Sequence, residues 1–220
     1  VNAFDGYAME MALRHCEENG GEVTVLTLGD ENEVRPSVVQ LLAVGGKHAY
    51  IGSKVNGDES SVAQALSEMI QRAKDEGNTY DLILCGKEST DEISSQVGAI
   101  LAEKMGLPLV TSVVGFEVTE NGVKARKETE EGYEFYQVPT PAVFTIAKPD
   151  YELRYPSIKS KMAARKAQIP VMDGAAPAAS VLCTGYEEPQ KRGSGVKIQE
   201  EEDADTVAKA MELLYADKIL

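Results

Sequence analysis

One segment of the sequence combines glycine, hydroxyl and charged residues in an order that could bind a phosphate. GKESTDEISSQVG, residues 86–98, follows an apolar run and leads into a helical pattern. Ser94, Ser95 and Gln96 are predicted to lie in the first helical turn, where unpaired backbone N–H groups and the helix dipole favour an anion. Two hydroxyls there could donate further hydrogen bonds to a phosphate. The alternative is that both serines only cap the helix.

The other reactive residues form no catalytic or metal-binding pattern. His15 and His48 are the only histidines, and neither belongs to a recognisable nucleophile motif. The three cysteines Cys16, Cys85 and Cys183 have no CxxC spacing, so each is interpreted as a small apolar residue. The sequence has no Walker loop and no GxGxxG fingerprint. We therefore expect no catalytic residue and no metal here, and chemistry that is carried by a bound group.

A second segment, residues 149–170, is basic and bounded by prolines. PDYELRYPSIKSKMAARKAQIP interleaves cations with apolar side chains, which is typical either of nucleic-acid binding or of docking to a protein. The net charge of −14 disfavours nucleic acid, so docking is the preferred interpretation. A loop packed on its own domain is the remaining alternative. The expected contact residues are Tyr155, Ile158, Met162, Arg165 and Lys166.

Alternating helical and strand patterns fill the first half of the chain. Apolar spacing and caps predict helices over 5–18, 32–44, 60–77 and 94–106, and short β-branched runs predict buried strands over 22–29, 48–53 and 80–87. This alternation is typical of an α/β fold with a parallel sheet and right-handed crossovers. Ligands of such folds bind at the carboxyl ends of the strands, which here are Leu28-Gly29 and the loop after Cys85.

The pattern changes after Leu107. Asn121-Gly122 predicts a β-hairpin inside residues 109–138, and 141–147 reads as a further strand that returns to the main sheet. Small residues at 173–180 resemble a linker, and an extended arm with a short helix from Asp203 follows. We expect an α/β nucleotide-binding domain over 1–171, and a linker and arm over 172–220 that need another surface to lie on.

Composition excludes several classes of protein. The 220 residues are 43% hydrophobic, which is ordinary for a globular chain, and the longest apolar run is too short to span a membrane. No signal peptide is recognisable, and the cysteine usage fits a reducing compartment, so a cytoplasmic location without membrane insertion is expected. The chain starts at Val1, almost directly in a helix, so we expect a first strand to be missing from its beginning.

Four separated motifs are similar, in the same order, to segments of the electron transfer flavoprotein β subunits. They are VNAFDGYAMEMAL, LILCGKESTDEISSQVGAILAEKMGLPLVTSV, LRYPSIKSKMAARKAQIPV and EEPQKRGSGVKI. KETEEGYEFYQVPTPAVFT resembles the family signature, with aromatic Tyr136 and Phe144 where aliphatic residues are usual, and Ala3 stands where the family has proline. The resemblance covers essentially the whole chain.

The resemblance implies a Rossmann-like, adenine-nucleotide-binding fold and a function in electron transfer. In the family, this subunit pairs with an α subunit that holds most of the redox FAD, and it binds one adenine nucleotide itself. An aliphatic residue of the basic loop inserts into a partner dehydrogenase, and Ile158 is the matching position. The implied nucleotide contacts are Asn2, Ala3, Phe4, Asp5, Leu28, Gly86, Lys87, Glu88, Ser89, Thr90, Asp91, Glu92, Ile93, Ser94, Ser95, Gln96 and Val97.

The resemblance leaves the nucleotide open between AMP and a second FAD. Members that bifurcate electrons usually carry Asp-Gly-Asp-Thr in this loop, whereas this chain has Asp91-Glu92-Ile93-Ser94. Glu92 in place of glycine restricts the backbone, and Ile93 removes an acidic side chain. KMAARKA in the basic loop resembles anaerobic bacterial members and favours FAD.

Two other kinds of protein are compatible with such a fold. A stand-alone, universal-stress-like nucleotide-binding module is the main alternative, but it would need neither the basic loop nor the arm. A nucleotide α-hydrolase would need a glycine-rich SGGxDS loop, which the sequence lacks. Residues 149–220 therefore favour the electron-carrier subunit.

Overall fold

The predicted alternation of helices and strands is confirmed in a computed structural model that describes residues 1–172, 178–191, 193 and 195–219. The helices are α1 (Ala3–Asn19), α2 (Glu31–Val44), α3 (Glu59–Asp75), α4 (Val97–Met105), α5 (Ile158–Ala164) and α6 (Asp203–Ala216). The strands are β1 (Thr24–Leu28), β2 (His48–Gly52), β3 (Leu82–Gly86), β4 (Leu109–Thr119), β5 (Gly122–Thr129), β6 (Gly132–Val138), β7 (Ala142–Ile146) and β8 (Val171–Met172).

Two units make up the chain, residues 1–183 and residues 184–220. The first contains every element except α6, and the second contains α6, the short helix that was predicted to begin at Asp203. Within the predicted linker, residues 173–177 lie outside the described residues, as do Arg192 and Ser194 of the predicted arm.

The strands form two sheets. One has three parallel strands in the order β1-β2-β8, and the other has five in the order β3-β7-β4-β5-β6. The α/β, Rossmann-like class is thereby confirmed. The strands predicted over 22–29 and 48–53 lie in the first sheet, and the strand predicted over 80–87 lies in the second. Apolar runs identify strands without identifying their partners: β7 pairs with β3, and the unpredicted β8 pairs with β2.

The predicted hairpin at 109–138 is a meander of three antiparallel strands with two turns. The Asn121-Gly122 turn is confirmed. Gly122 has a φ of 124°, and a Cβ there would collide with the carbonyl oxygen of Val138, so only glycine fits. Glu130 and Glu131 form the second turn, and Glu128 lies in β5, opposite Tyr133. The strand predicted at 141–147 is confirmed as β7, which lies between β3 and β4.

Alternate side chains of β3 enter two different cores. Leu82 and Leu84 pack with residues of α1 and β7, whereas Ile83 and Cys85 pack with residues of α3 and α4. Because successive side chains of a strand point to opposite faces, α1 covers one face of this sheet and α3 and α4 cover the other. This packing brings α1 beside the strand whose carboxyl end starts the 86–97 loop.

Candidate functional site

The first turn of α1 holds the start of the 86–97 loop. The Asp5 carboxylate accepts a hydrogen bond of 2.7 Å from the Gly86 N–H, and the Asn2 side-chain amide donates to the Glu88 carbonyl at 2.8 Å and to Asp5 at 2.9 Å. Gly86 has no room for a side chain, because a Cβ would lie 2.8 Å from the Asp5 nitrogen and 2.9 Å from Phe4 Cβ. Two segments singled out by the sequence therefore meet in one place.

The loop is also held by bonds of its own. The Lys87 N–H donates to the Ile146 carbonyl at 2.9 Å, and the Ser95 hydroxyl donates to the Glu88 carboxylate at 2.7 Å. The Ser89 hydroxyl and local backbone N–H groups bond the Asp91 carboxylate and lower its pKa. Ile93 and Ser95 have positive φ values of 55° and 56°, a conformation that is uncommon for residues other than glycine.

Ser94, Ser95 and Gln96 are not in the first turn of α4, so that prediction is wrong. The helix begins at Val97, with Gln96 at the N-cap. The positive φ of Ser95 interrupts helical geometry just before this point. The serines consequently belong to the loop, and the idea that Ser94 or Ser95 is the N-cap of this helix is also wrong. They precede the N-cap.

The helices that border the loop differ from three other helices in their capping. Asp30, Asp58 and Ser157 cap α2, α3 and α5 through side-chain oxygens. The N-caps of α1 and α4, Asn2 and Gln96, make no side-chain capping bond. First-turn N–H groups without a cap are available to an anion or another acceptor.

A buried atom at the same place has no partner. Asn2 Oδ1 is buried and accepts no hydrogen bond from the described residues. A buried polar atom of this kind is costly unless a bound group or water satisfies it. The other end of the same amide donates to the Asp5 carboxylate and the Glu88 carbonyl, so Oδ1 is the acceptor that lacks a donor. This chemistry fits the hydroxyl or amino groups of a nucleotide.

Gly98 contributes to the site in a way that sequence reasoning missed. A Cβ on Gly98 would lie 2.6 Å from Thr145 Cγ2 and 3.5 Å from Cys85 Cβ. Because glycine has no Cβ, α4 can start close against β3 and β7. The only signal in the sequence is a glycine four positions after the start of the helix predicted over 94–106. Leu28, in contrast, ends β1 in the other sheet and lies outside the hydrogen-bonded cluster just described.

The predicted docking residues lie in and beside α5, a short helix in a segment that was predicted to be a loop. Tyr155, Ile158 and Met162 are exposed to 96%, 80% and 60%, which is unusual for side chains of this size. Arg165 and Lys166 follow the helix and are also exposed. Ser157 caps α5, and the buried Ala164 lies where α5 packs against α2. The structure thus brings an apolar patch and four cations together on one exposed segment, the cations being Lys159, Lys161, Arg165 and Lys166.

Arg154, by contrast, is bound to the body of the domain. Its guanidinium and backbone N–H donate to both oxygens of Glu10, and its guanidinium also contacts both oxygens of Glu17. Glu10 is only 2% exposed. Burial alone raises the pKa of Glu10, but hydrogen bonds from Arg154 and Arg14 outweigh it and hold that pKa below its ordinary value.

The histidines and cysteines have ordinary surroundings. His15 packs against Phe116, and His48 contacts Glu22 at the surface. Cys85 packs against a core cluster, as expected of a small apolar residue, whereas Cys183 is exposed. Among the described residues, no group of three or more His, Cys, Asp and Glu side chains could hold a metal ion. Within the same residues, no helix has the length and apolar character needed to cross a membrane.

Comparison with known proteins identifies the relatives of this chain. The model of the electron transfer flavoprotein domain family matches residues 1–177. The electron transfer flavoprotein subunit beta of Megasphaera elsdenii is 31% identical over 237 aligned residues, which cover 100% of this chain and 87% of that protein. The subunit beta of Thermoanaerobacterium thermosaccharolyticum is 33% identical, with 72% of this chain and 60% of that protein covered. The subunit beta of Mycobacterium leprae is 30% identical, with 97% and 84% covered. The chain therefore belongs to the electron transfer flavoprotein β-subunit family.

Proposed function

We propose that this chain pairs with an electron transfer flavoprotein α subunit and that the heterodimer carries electrons on FAD. We further propose that the chain itself holds an adenine nucleotide, either AMP or a second FAD, at the 86–97 loop. The observation that carries the nucleotide proposal is that the loop starts beside the N-terminus of α1 and ends at the N-terminus of α4, both without side-chain caps, and that Asn2 Oδ1 lies there without a partner. Family membership supports the electron-transfer role.

The proposed nucleotide site is built from a small part of the chain. Asn2, Ala3, Phe4 and Asp5 would border it on one side, and Gly86 to Val97 on the other. Backbone N–H groups at the start of α4 would bind phosphate oxygens, because the dipole of that helix favours negative charge. Ser95 donates to Glu88, so its hydroxyl becomes available to a phosphate only when that bond breaks.

The proposed docking surface consists of Tyr155, Ile158, Met162, Arg165 and Lys166. A carrier that meets two partners in turn needs contacts that form and break quickly, which small interfaces provide. One exposed aliphatic side chain with cations around it meets this requirement. We propose that a partner dehydrogenase with an acidic rim docks here.

The decisive experiment is the nucleotide content of the protein purified with its α subunit. Two FAD per heterodimer without AMP would make the 86–97 loop a redox site, and one FAD with one AMP would make it structural. The double variant Ser94→Ala, Ser95→Ala should then lose nucleotide on gel filtration. Absence of both a heterodimer and flavin would contradict the proposal and favour a stand-alone nucleotide-binding module.

A further inference from the structure

Arg154 attaches the start of the docking segment to helix α1. It precedes Tyr155 and Ile158 by one and four positions, and its side chain forms ion pairs with Glu10 and Glu17. The Arg154 backbone N–H donates to Glu10 Oε2 at 3.2 Å, its Nε to the same oxygen at 2.8 Å, and its Nη2 to Oε1 at 3.1 Å. Both the main chain and the side chain of one residue are thereby fixed to one carboxylate.

The carboxylate that receives these bonds is itself held in place. Glu10 is buried at 2% exposure, and Arg14 donates to its Oε1 at 2.7 Å. Arg14 in turn lies over the ring of Tyr151, with 4.1 Å between the guanidinium carbon and the ring centroid. A buried carboxylate with four donors is a rigid acceptor, because desolvation makes any unpaired state costly.

A close contact at the other end of α1 supports the same attachment. The space beside Gly6 is occupied by Leu153, since a Cβ on Gly6 would lie 3.2 Å from Leu153 Cδ1. Leu153 and Arg154 therefore lie along α1 from Gly6 to Glu17, whereas Tyr155 and Ile158 immediately after them are among the most exposed apolar residues of the chain. The chain is therefore held against α1 up to Arg154, and its side chains become exposed from Tyr155 onwards.

We propose that Arg154 is a positioning residue for docking: by binding Glu10 and Glu17 it fixes the start of the exposed segment, so that Ile158 is presented to a partner in one orientation. This inference rests on the proposed docking function of residues 155–166. Preorganisation of this kind raises affinity, because a loop that is already ordered loses less conformational entropy on binding. Arg154 touches neither cofactor nor partner in this role.

Hydrogen exchange and kinetics on the purified heterodimer test the proposal. In Arg154→Gln, amides of residues 155–166 should exchange about tenfold faster, since the local opening equilibrium loses its charge-assisted bonds. The KM for a partner dehydrogenase should rise about tenfold, with kcat and the rate of flavin reduction by dithionite unchanged. Arg154→Lys should recover only part of the KM, because an ammonium retains the charge without the planar fork. Lys47→Gln, which removes an exposed ion pair with Glu22, is the control.

Two further variants keep the test decisive. If Arg154→Gln fails to fold because Glu10 is left as a buried charge, the double variant Glu10→Gln, Arg154→Gln removes that charge and should show the same fast exchange. Glu17→Gln should have a smaller effect, because Glu17 is exposed. Unchanged exchange at 155–166, or faster exchange with an unchanged KM, would overturn the proposal. If the wild-type protein transfers no electrons to any dehydrogenase, the docking function fails, while the exchange data still decide whether Arg154 anchors the segment.

Discussion

Asp5 and Gly86 are 81 positions apart in the chain, and the carboxylate of the first accepts a 2.7 Å hydrogen bond from the N–H of the second. This bond ties the first turn of α1 to the last residue of β3. Because the helix and the strand belong to one packed core, the loop after Gly86 starts from a fixed point. The position of the candidate nucleotide site depends on this contact.

Gly86→Ala should disrupt both the fold and the site. The new Cβ would lie 2.9 Å from Asp5 Oδ1 and 2.8 Å from its backbone nitrogen, and a backbone atom in a packed turn cannot retreat cheaply. We expect a loss of about 1–3 kcal/mol in the free energy of unfolding, as is typical of overpacking. Nucleotide retention after gel filtration should fall as well.

The matched control for this change is Gly115→Ala. A Cβ at Gly115 would have its nearest neighbour, Arg126, at 3.8 Å, an ordinary contact distance. Stability and nucleotide retention should stay close to the wild-type values. Equal losses in the two variants would show that the Asp5 contact has no special role.

Glu88→Gln should tighten the binding of a phosphate-bearing nucleotide. Glu88 accepts the Ser95 hydroxyl close to the start of α4, and its side chain is only 16% exposed. Its charge is shared with Lys87, whose ammonium lies 3.6 Å away and would become available to a phosphate once Glu88 is neutral. Removing the negative charge of Glu88 from the neighbourhood of a negatively charged phosphate should lower the free energy of binding by about 1 kcal/mol, which is roughly fivefold in affinity. Isothermal titration of the nucleotide-free protein with AMP and with adenosine would separate the charge effect from other changes.

The gain should appear for AMP and not for adenosine, which has no phosphate. Glu92→Gln provides the control, because Glu92 lies in the same loop and is exposed. A gain of the same size for both ligands would point to a change in loop shape. No gain for AMP would count against a phosphate near Glu88.

Local patterns were sufficient to predict most elements of the chain. Helix α3, for example, was predicted from its apolar spacing and a cap at its start, and the structure has the helix with Asp58 as its cap. Pairing of strands was not predictable in the same way. Strand β8 has only two residues, Val171 and Met172, and it is a strand because β2 offers it an edge.

The candidate site was predictable in position but not in shape. The rule that ligands bind at the carboxyl ends of parallel strands pointed to the loop after Cys85. The delayed start of α4 depends on the positive φ of Ser95, and nothing in a Ser-Ser pair signals that conformation. The bond between Arg154 and Glu10 is likewise set by tertiary packing, since 144 positions separate the two residues.

Ile158→Ala should slow electron transfer from a partner dehydrogenase without affecting the fold. The side chain is 80% exposed, so its removal should change the free energy of unfolding by less than about 0.5 kcal/mol. Loss of an anchor in a small interface costs more, and a rate decrease of about tenfold at limiting partner concentration is expected. Stopped-flow flavin reduction and thermal unfolding measure the two effects.

Two other truncations serve as controls for Ile158→Ala, one at an exposed position and one in the core. Val118→Ala truncates a 52% exposed side chain on β4 and should leave both the rate and the stability unchanged. Ile169→Ala truncates a 5% exposed core side chain and should lower the free energy of unfolding by about 2–5 kcal/mol. An Ile158→Ala protein with the wild-type rate would exclude this residue as an anchor.

The thiols of Cys85 and Cys183 should differ sharply in reactivity. Burial, with a smaller contribution from the negative charge of Asp5, raises the pKa of Cys85 to about 12. At pH 8 its thiolate fraction is then about 10⁻⁴, and thiolate is the reactive form. Cys183 is exposed and should react first with a thiol reagent, whereas Cys85 should react only after unfolding. Fast labelling of Cys85 in the native protein, identified by peptide mapping, would contradict this packing.

Asp58 links the start of α3 to the last residue of the predicted linker and to the residue after it. Its Oδ1 caps the helix by accepting from Ser61, and its Oδ2 accepts from the N–H groups of Ser180 and Val181 at 2.8 and 2.9 Å. These bonds, led by the Ser61 hydroxyl, hold the pKa of Asp58 well below its ordinary value. Asp58→Asn keeps an oxygen for the cap but turns an amide N–H₂ towards two N–H donors, so it should release residues 180 and 181 selectively.

The difference in stability between the wild-type protein and Asp58→Asn should depend on pH. A carboxylate with a lower pKa in the folded state contributes stability that is fully present above its unfolded pKa of about 3.9, and that contribution is lost as the pH falls towards the folded value. The wild-type protein should therefore unfold at a higher temperature than Asp58→Asn at pH 6, and the difference should shrink steadily below about pH 4. Asp30→Asn is the control, because Asp30 caps α2 through a single bond from Asn32 that an asparagine oxygen can also accept. A difference that is the same at pH 6 and pH 3 would mean that the charge of Asp58 does not hold this segment.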